Sequence, residues 1–148
     1  MSIATTKNII RLIISAVGGF IVELIGGVDT ILKALLIFMI VDYLTGILVA
    51  FVFHKSTKTK NGGASSKEGL KGIVKKLCIL LFVGLAHMLD VVMGTQYIRA
   101  MTIIFFLANE GLSVLENMGL MGIKYPVFFV KALEVLREKS ESEETGGM

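Results

Sequence analysis

Residues 34–53 read ALLIFMIVDYLTGILVAFVF, an apolar run broken by a single formal charge, Asp42. An α-helix rises ~1.5 Å per residue, so about 20 such residues cross ~30 Å of hydrocarbon while every backbone polar group stays bonded within the helix. Working outward, Leu77 to Gly94 repeats the pattern with Asp90 as its only formal charge. Ile98 to Met118 repeats it with Arg99 at its start and Glu110 and Glu116 further in. The segment Ile9 to Val28 is weaker, because it contains Arg11, Glu23 and the pairs Gly18-Gly19 and Gly26-Gly27. It is compatible with spanning, tilting or lying in the interface, so the sequence predicts an all-α membrane bundle of three to four spans in one domain.

Composition agrees with this class. Of 148 residues, 54% are hydrophobic, 18% are charged and one is proline, and the mean hydropathy is +0.78, well above that of a soluble domain. Lys7 and Arg11 ahead of an apolar stretch also fit a signal peptide. Glu23 interrupts that stretch and no A-x-A site follows, so the segment is read as retained.

Orientation follows from lysine and arginine. Between His54 and Lys76 stand Lys55, Lys58, Lys60, Lys67, Lys71, Lys75 and Lys76 against one acid, Glu68. The positive-inside rule places this basic loop in the cytoplasm, and with four spans both termini as well. Beside membrane spans the lysines are explained by topology and anionic lipid, so a nucleic-acid partner is not expected. Residues 126–139 place Phe129, Val130, Leu133 and Leu136 at helical spacing with Lys131, Glu134 and Glu138 elsewhere. This predicts an amphipathic helix on the cytoplasmic membrane face or packed on a neighbour, followed by a fraying polar tail over 140–148.

The residues offer little to an enzyme. The single cysteine, Cys78, excludes a disulfide within one chain and reads as a small packing residue. His54 and His87 stand too far apart in the pattern for a metal site; His87 lies one turn from Asp90 and within reach of pairing with it. No Gly-rich phosphate loop or catalytic triad order is present. Neither catalytic nor metal residues nor a cofactor are expected.

The polar groups inside the spans carry more information. Asp42 and Glu110 sit near mid-depth and Asp90 toward the outer end, and with no lysine or arginine expected at mid-depth these acids require neutralisation, hydrogen bonds or water. Asp42, Thr45 and Gly46 fall at i, i+3 and i+4. Ala86, Asp90 and Gly94 place small residues on either side of an acid, where backbones approach closely. Asn109, Ser113, Glu116 and Asn117 share one face of the fourth span with Glu110 at its edge. Two readings stand side by side: a hydrogen-bonded seam within one subunit, or a face that joins subunits and becomes water-lined. Acids without cations and with small neighbours predict a homo-oligomer.

Four pieces together carry a resemblance: Asp42-Tyr-Leu-Thr45-Gly46, Ser65-Ser66-Lys67-x-Gly69-x-x-Gly72-Ile73-x-x-Lys76, Asn109-Glu110-x-x-Ser113-x-x-Glu116-Asn117 and Gly122-x-x-x-Pro126. In this order, over about Leu36 to Leu133, the chain resembles the phage and toxin-secretion holin family. The resemblance implies a protein that accumulates in the bacterial cytoplasmic membrane, oligomerises and permeabilises it. Endolysin or a signal-less toxin would then leave as released cargo, with membrane lipid and further copies of the chain as partners. A small ion channel or transporter and an inhibitory, antiholin-like subunit are the alternatives; a transporter would show inverted repeats with broken helices, which the sequence lacks.

Overall fold

The computed structural model describes residues 3–146. It contains α1 (Ile3–Leu24), α2 (Thr30–Phe51), α3 (Ser66–Met93), α4 (Ile98–Leu120) and α5 (Val127–Gly146), with no strand among the described residues. Among the described residues, three helices, α2, α3 and α4, are long and apolar enough to cross a membrane.

These three spans pack through one stripe each. Leu32, Leu35 and Met39 of α2, Ile79 and Val83 of α3, and Ile103 of α4 form the buried core, at the i, i+3/i+4, i+7 spacing that aligns side chains on one helix face. The other faces remain apolar but exposed, with Ile37, Ile40, Leu44 and Leu48 on α2 and Leu81, Leu85, Leu89 and Val92 on α3. So much contiguous exposed apolar surface suits lipid and would be a liability in water. Helix α4 is the hub, touching α2, α3 and α5.

Helix boundaries follow from local chemistry. Asp29 caps α2, accepting the Leu32 amide at 3.0 Å, which satisfies one of the unpaired donors of a first turn. Helix α3 ends at Gly94, whose left-handed φ of 68° costs a residue without Cβ little. Helix α3 also begins well before its apolar run. Lys67, Lys71, Lys75 and Lys76 therefore stand on its opening turns, and the loop proper keeps Lys55, Lys58 and Lys60. Cys78, expected to pack, is exposed, because Ile79 and Val83 supply the packed face of this helix.

The first and last helices differ from the spans. Among the described residues, helix α1 buries none of its own, and the helix it contacts is α3. The helix ends at Leu24 rather than continuing to Val28, because a turn follows in which Gly26 and Gly27 take φ of 78° and 86°. Helix α5 folds back along α4 after the turn at residues 121–126. A Cβ on Gly111 would lie 2.7 Å from Leu133 Cδ2 and 3.0 Å from Phe38 Cε1, so the missing side chain is what lets α5 close on α4. Leu133 is buried in this contact, with Val130 and Leu136 half-buried. An apolar cavity of about 350 Å³ remains where α2, α4 and α5 meet, between Val41, Val114, Met118 and Phe129. Helix continues to Gly146, past Lys139 where the sequence alone ends it.

A buried ionic centre between three helices as candidate functional site

Asp42, Lys76 and Glu110, one from each span, meet in a single cluster. Lys76 Nζ donates to Asp42 Oδ2 at 2.8 Å and also to Glu110 Oε2. The side chains are 15%, 14% and 6% exposed for Lys76, Asp42 and Glu110. This corrects the expectation that no cation reaches the mid-depth acids. The apolar run of α3 starts at Leu77, but the helix starts at Ser66 and lies beside α2. Gly69 and Gly72 face the Tyr43 ring, where added Cβ atoms would sit 3.6 and 3.5 Å from it. That close approach brings the basic turn of α3 level with Asp42, and the long aliphatic stem of Lys76 supplies the remaining reach.

Asn117 completes the centre. Its Nδ2 donates to Thr45 Oγ1 at 3.0 Å, to Asp42 Oδ1 at 3.2 Å and to the Asp42 carbonyl at 3.3 Å. Thr45 Oγ1 donates in turn to the Val41 carbonyl at 2.8 Å. Glu110 and Asn117, seven positions apart, share the face of α4 turned to α2 and α3. Gly46 faces Asn117, with Nδ2 3.8 Å from where a Cβ would stand. Of the expected polar stripe, Asn109 and Ser113 are half-buried outside this hydrogen-bonded set, and Glu116 is exposed. With all three groups ionised, the two acids exceed the lysine by one charge, which the Asn117 amide dipole offsets only in part.

Asp90 belongs to a second centre at the opposite end of the bundle. Its Oδ1 accepts Thr95 Oγ1 at 2.6 Å and the Ile98 amide at 3.1 Å, and its Oδ2 accepts the Arg99 amide at 2.8 Å. The carboxylate therefore caps the N-terminus of α4 from the last turn of α3, where the helix dipole favours an anion. His87 is not among its partners; its Nδ1 lies instead against the turn at Gly26. The Arg99 side chain reaches the other way, with Nε to the Ile25 carbonyl at 2.6 Å, Nη2 to the Gly27 carbonyl at 2.9 Å and Nη1 to Asp29 Oδ2 at 2.6 Å. The hydrogen bond from Arg99 holds the Asp29 carboxyl below its ordinary value, against a desolvation that raises it and with help from the Leu32 amide. In the sequence Arg99 stands at the start of the last apolar run; its partners come from the turn before α2, some 70 positions away.

The molecule is thus a small all-helical membrane protein in which apolar outer faces surround two internal polar centres. Its family is equally definite: residues 19–138 match the bacteriophage holin family, and the chain belongs to it. It is 37% identical over 137 residues to an uncharacterized protein of Listeria innocua, covering 92% of each chain. It is 36% identical over 138 residues to an uncharacterized 14.9 kDa protein of Clostridium perfringens, covering 90% of this chain and 98% of that one. A protein of Bacillus phage phi105 named probable holin is 28% identical over 113 residues, covering 76% of this chain and 78% of its own. No solved structure matches the chain. The protein is of holin type.

Proposed function

We propose that this protein oligomerises in the bacterial cytoplasmic membrane and, at a set time, permeabilises it so that an endolysin or a signal-less toxin leaves the cell. The observation that carries the reading is the Asp42–Lys76–Glu110 centre, an ionic cluster held inside three spans whose outer faces are apolar. Charge stored between helices is costly unless matched, and matched charge that changes partner can move to a hydrated surface. In the quiet state Lys76 joins the two acids within one subunit. In the permeabilising state the same groups separate and meet water or neighbouring subunits, so the intra-subunit seam and the subunit-joining face become two states of one cluster. The basic residues Lys55 to Lys76 face the cytoplasm in this arrangement, and the exposed apolar faces meet lipid and further copies.

Co-expression with a cytoplasmic endolysin tests the reading. Lysis should require both proteins, and entry of a membrane-impermeant dye should require this chain alone. A chain that reaches the membrane in quantity yet admits no dye and releases no endolysin would refute it.

A further inference from the structure

The cavity where α2, α4 and α5 meet has a chemistry that the ionic centre does not use. Val41 and Gly111 line it, each one position from an acid of that centre. Its volume of about 350 Å³ falls in the range of small-molecule sites. The lining side chains are apolar except for Lys124 and Tyr125. Such a cavity offers water few partners and suits an apolar occupant.

Two features select that occupant. The first is where the cavity opens. Ile37 on α2 and Phe129 on α5 both line it and are both exposed. The surface around them is apolar as well, with Ile40 and Leu44 on α2 and Phe128 on α5. The mouth therefore lies in the kind of surface that meets hydrocarbon, where the molecule at hand is a lipid acyl chain and not a solute from water. The second feature is charge. Lys124 stands at one end of the cavity, in the turn just past Leu120 where α4 ends, and its side chain is exposed. Tyr125 beside it is a residue type that settles at headgroup level. A lysine stem can lie along apolar surface while its ammonium reaches a phosphate. An apolar slot between helices with a cation at one end thus matches an amphiphile whose head is anionic.

We propose that this cavity is a site for one acyl chain of an anionic phospholipid, with Lys124 holding the headgroup phosphate. The chain lies between α2 and α5, and the ammonium prefers a phosphate that no headgroup cation already balances. The inference concerns the single subunit and does not depend on the permeabilising function, so its test reads lipid contact and not efflux.

The chain contains no tryptophan, so single tryptophans report lipid contact locally. Phe129→Trp reports from the cavity and Leu44→Trp from the outer face of α2. Each full-length variant is reconstituted in phosphatidylcholine vesicles holding a small, equal fraction of either phosphatidylglycerol or phosphatidylcholine with brominated acyl chains. Fluorescence at position 129 should be quenched several-fold more by the brominated phosphatidylglycerol, and at position 44 about equally by both. Adding Lys124→Gln should bring the ratio at 129 down to that at 44. Equal ratios at the two positions without Lys124→Gln would mean ordinary boundary lipid and would overturn the proposal. So would an absence of quenching at 129, the result expected if a protein segment covers the mouth. A preference at 129 that survives Lys124→Gln would overturn the role of the lysine. Native mass spectrometry of the unsubstituted chain, taken into mild detergent from vesicles of equal phosphatidylglycerol and phosphatidylcholine, guards against a cavity disturbed by Phe129→Trp. One phospholipid per subunit is expected, enriched in phosphatidylglycerol for the parent and not for Lys124→Gln; lipid-free subunits or no enrichment in the parent would overturn the site.

Discussion

Lys76 and Asp42, 34 positions apart in the chain, are joined at 2.8 Å inside the bundle, and the same ammonium also holds Glu110. One lysine thereby bridges an acid on each of two neighbouring helices. Its removal leaves both acids in a low-dielectric setting, with the Asn117 amide still donating to Asp42. Lys76→Met should therefore destabilise the folded chain by about 3–5 kcal/mol, the usual cost of orphaning a buried charge. Thermal unfolding in mild detergent measures it. Combining Lys76→Met with Asp42→Asn and Glu110→Gln should recover most of the loss, because no charge then remains unpaired; a triple variant as unstable as the single one would contradict the pairing.

Asp42→Asn and Glu110→Gln probe timing rather than folding. Each keeps the shape of the acid and exchanges one acceptor oxygen for a donor amide, and a membrane hydrogen bond is worth only ~0.6 kcal/mol on average, so abundance should stay close to that of the parent. With one acid neutral, the single lysine matches the remaining charge and the paired state is favoured. Permeabilisation should then be delayed, by a factor that grows with the number of cooperating subunits. Dye entry against time at matched membrane abundance is the measurement, and parental timing for both variants would remove the cluster from the mechanism.

Acid should loosen the opposite end of the bundle. The Asp29 carboxyl is held below its ordinary 3.8 by Arg99, so folding binds this group in its ionised form. Its contribution is complete above pH 3.8 and is lost as pH falls through the depressed folded value. Because the Asp29 side chain is 46% exposed, the effect is modest. Unfolding midpoints measured from neutral to strongly acidic pH should fall at the acid end for the parent and fall less for Asp29→Asn.

Gly111 sets how closely α5 can approach. Gly111→Leu has no room beside Leu133 and Phe38 and should detach α5 from α4, whereas Gly111→Ala with Leu133→Ala should restore part of the contact. Hydrogen exchange is the readout: amides of α5 should exchange faster than those of α4 in the parent, since the cavity beside Phe129 leaves the helix loosely packed, and much faster in Gly111→Leu. Unchanged protection of α5 in that variant would show that it docks elsewhere.

Orientation is checked by cysteines placed at Ser56 and Thr95 in a Cys78→Ser chain. A membrane-impermeant maleimide should reach Ser56→Cys from the cytoplasm and Thr95→Cys from outside. The reverse pattern would invert the topology.

The sequence by itself determined the class of this protein. Runs such as residues 34–53 and 98–118 have one stable solution in lipid, a helix that bonds its own backbone, and their lengths follow from membrane thickness. Asp42, Thr45, Gly46, Glu110 and Asn117 were legible for a similar reason, because a polar residue inside an apolar run is conspicuous at any register. Partnership was not legible. Lys76 sits at the edge of an apolar run, and only the packing of Tyr43 on Gly69 and Gly72 shows that it is level with Asp42. Asp90 stands toward the outer end of its apolar run, but only the turn after α3 shows that it receives the amides of Ile98 and Arg99. Helix α5 has the composition of a surface helix, and only the gap at Gly111 seats it against α4. Hydropathy is a property of each segment alone, whereas the level at which one helix meets another depends on where small residues let backbones approach, and that is decided by tertiary structure.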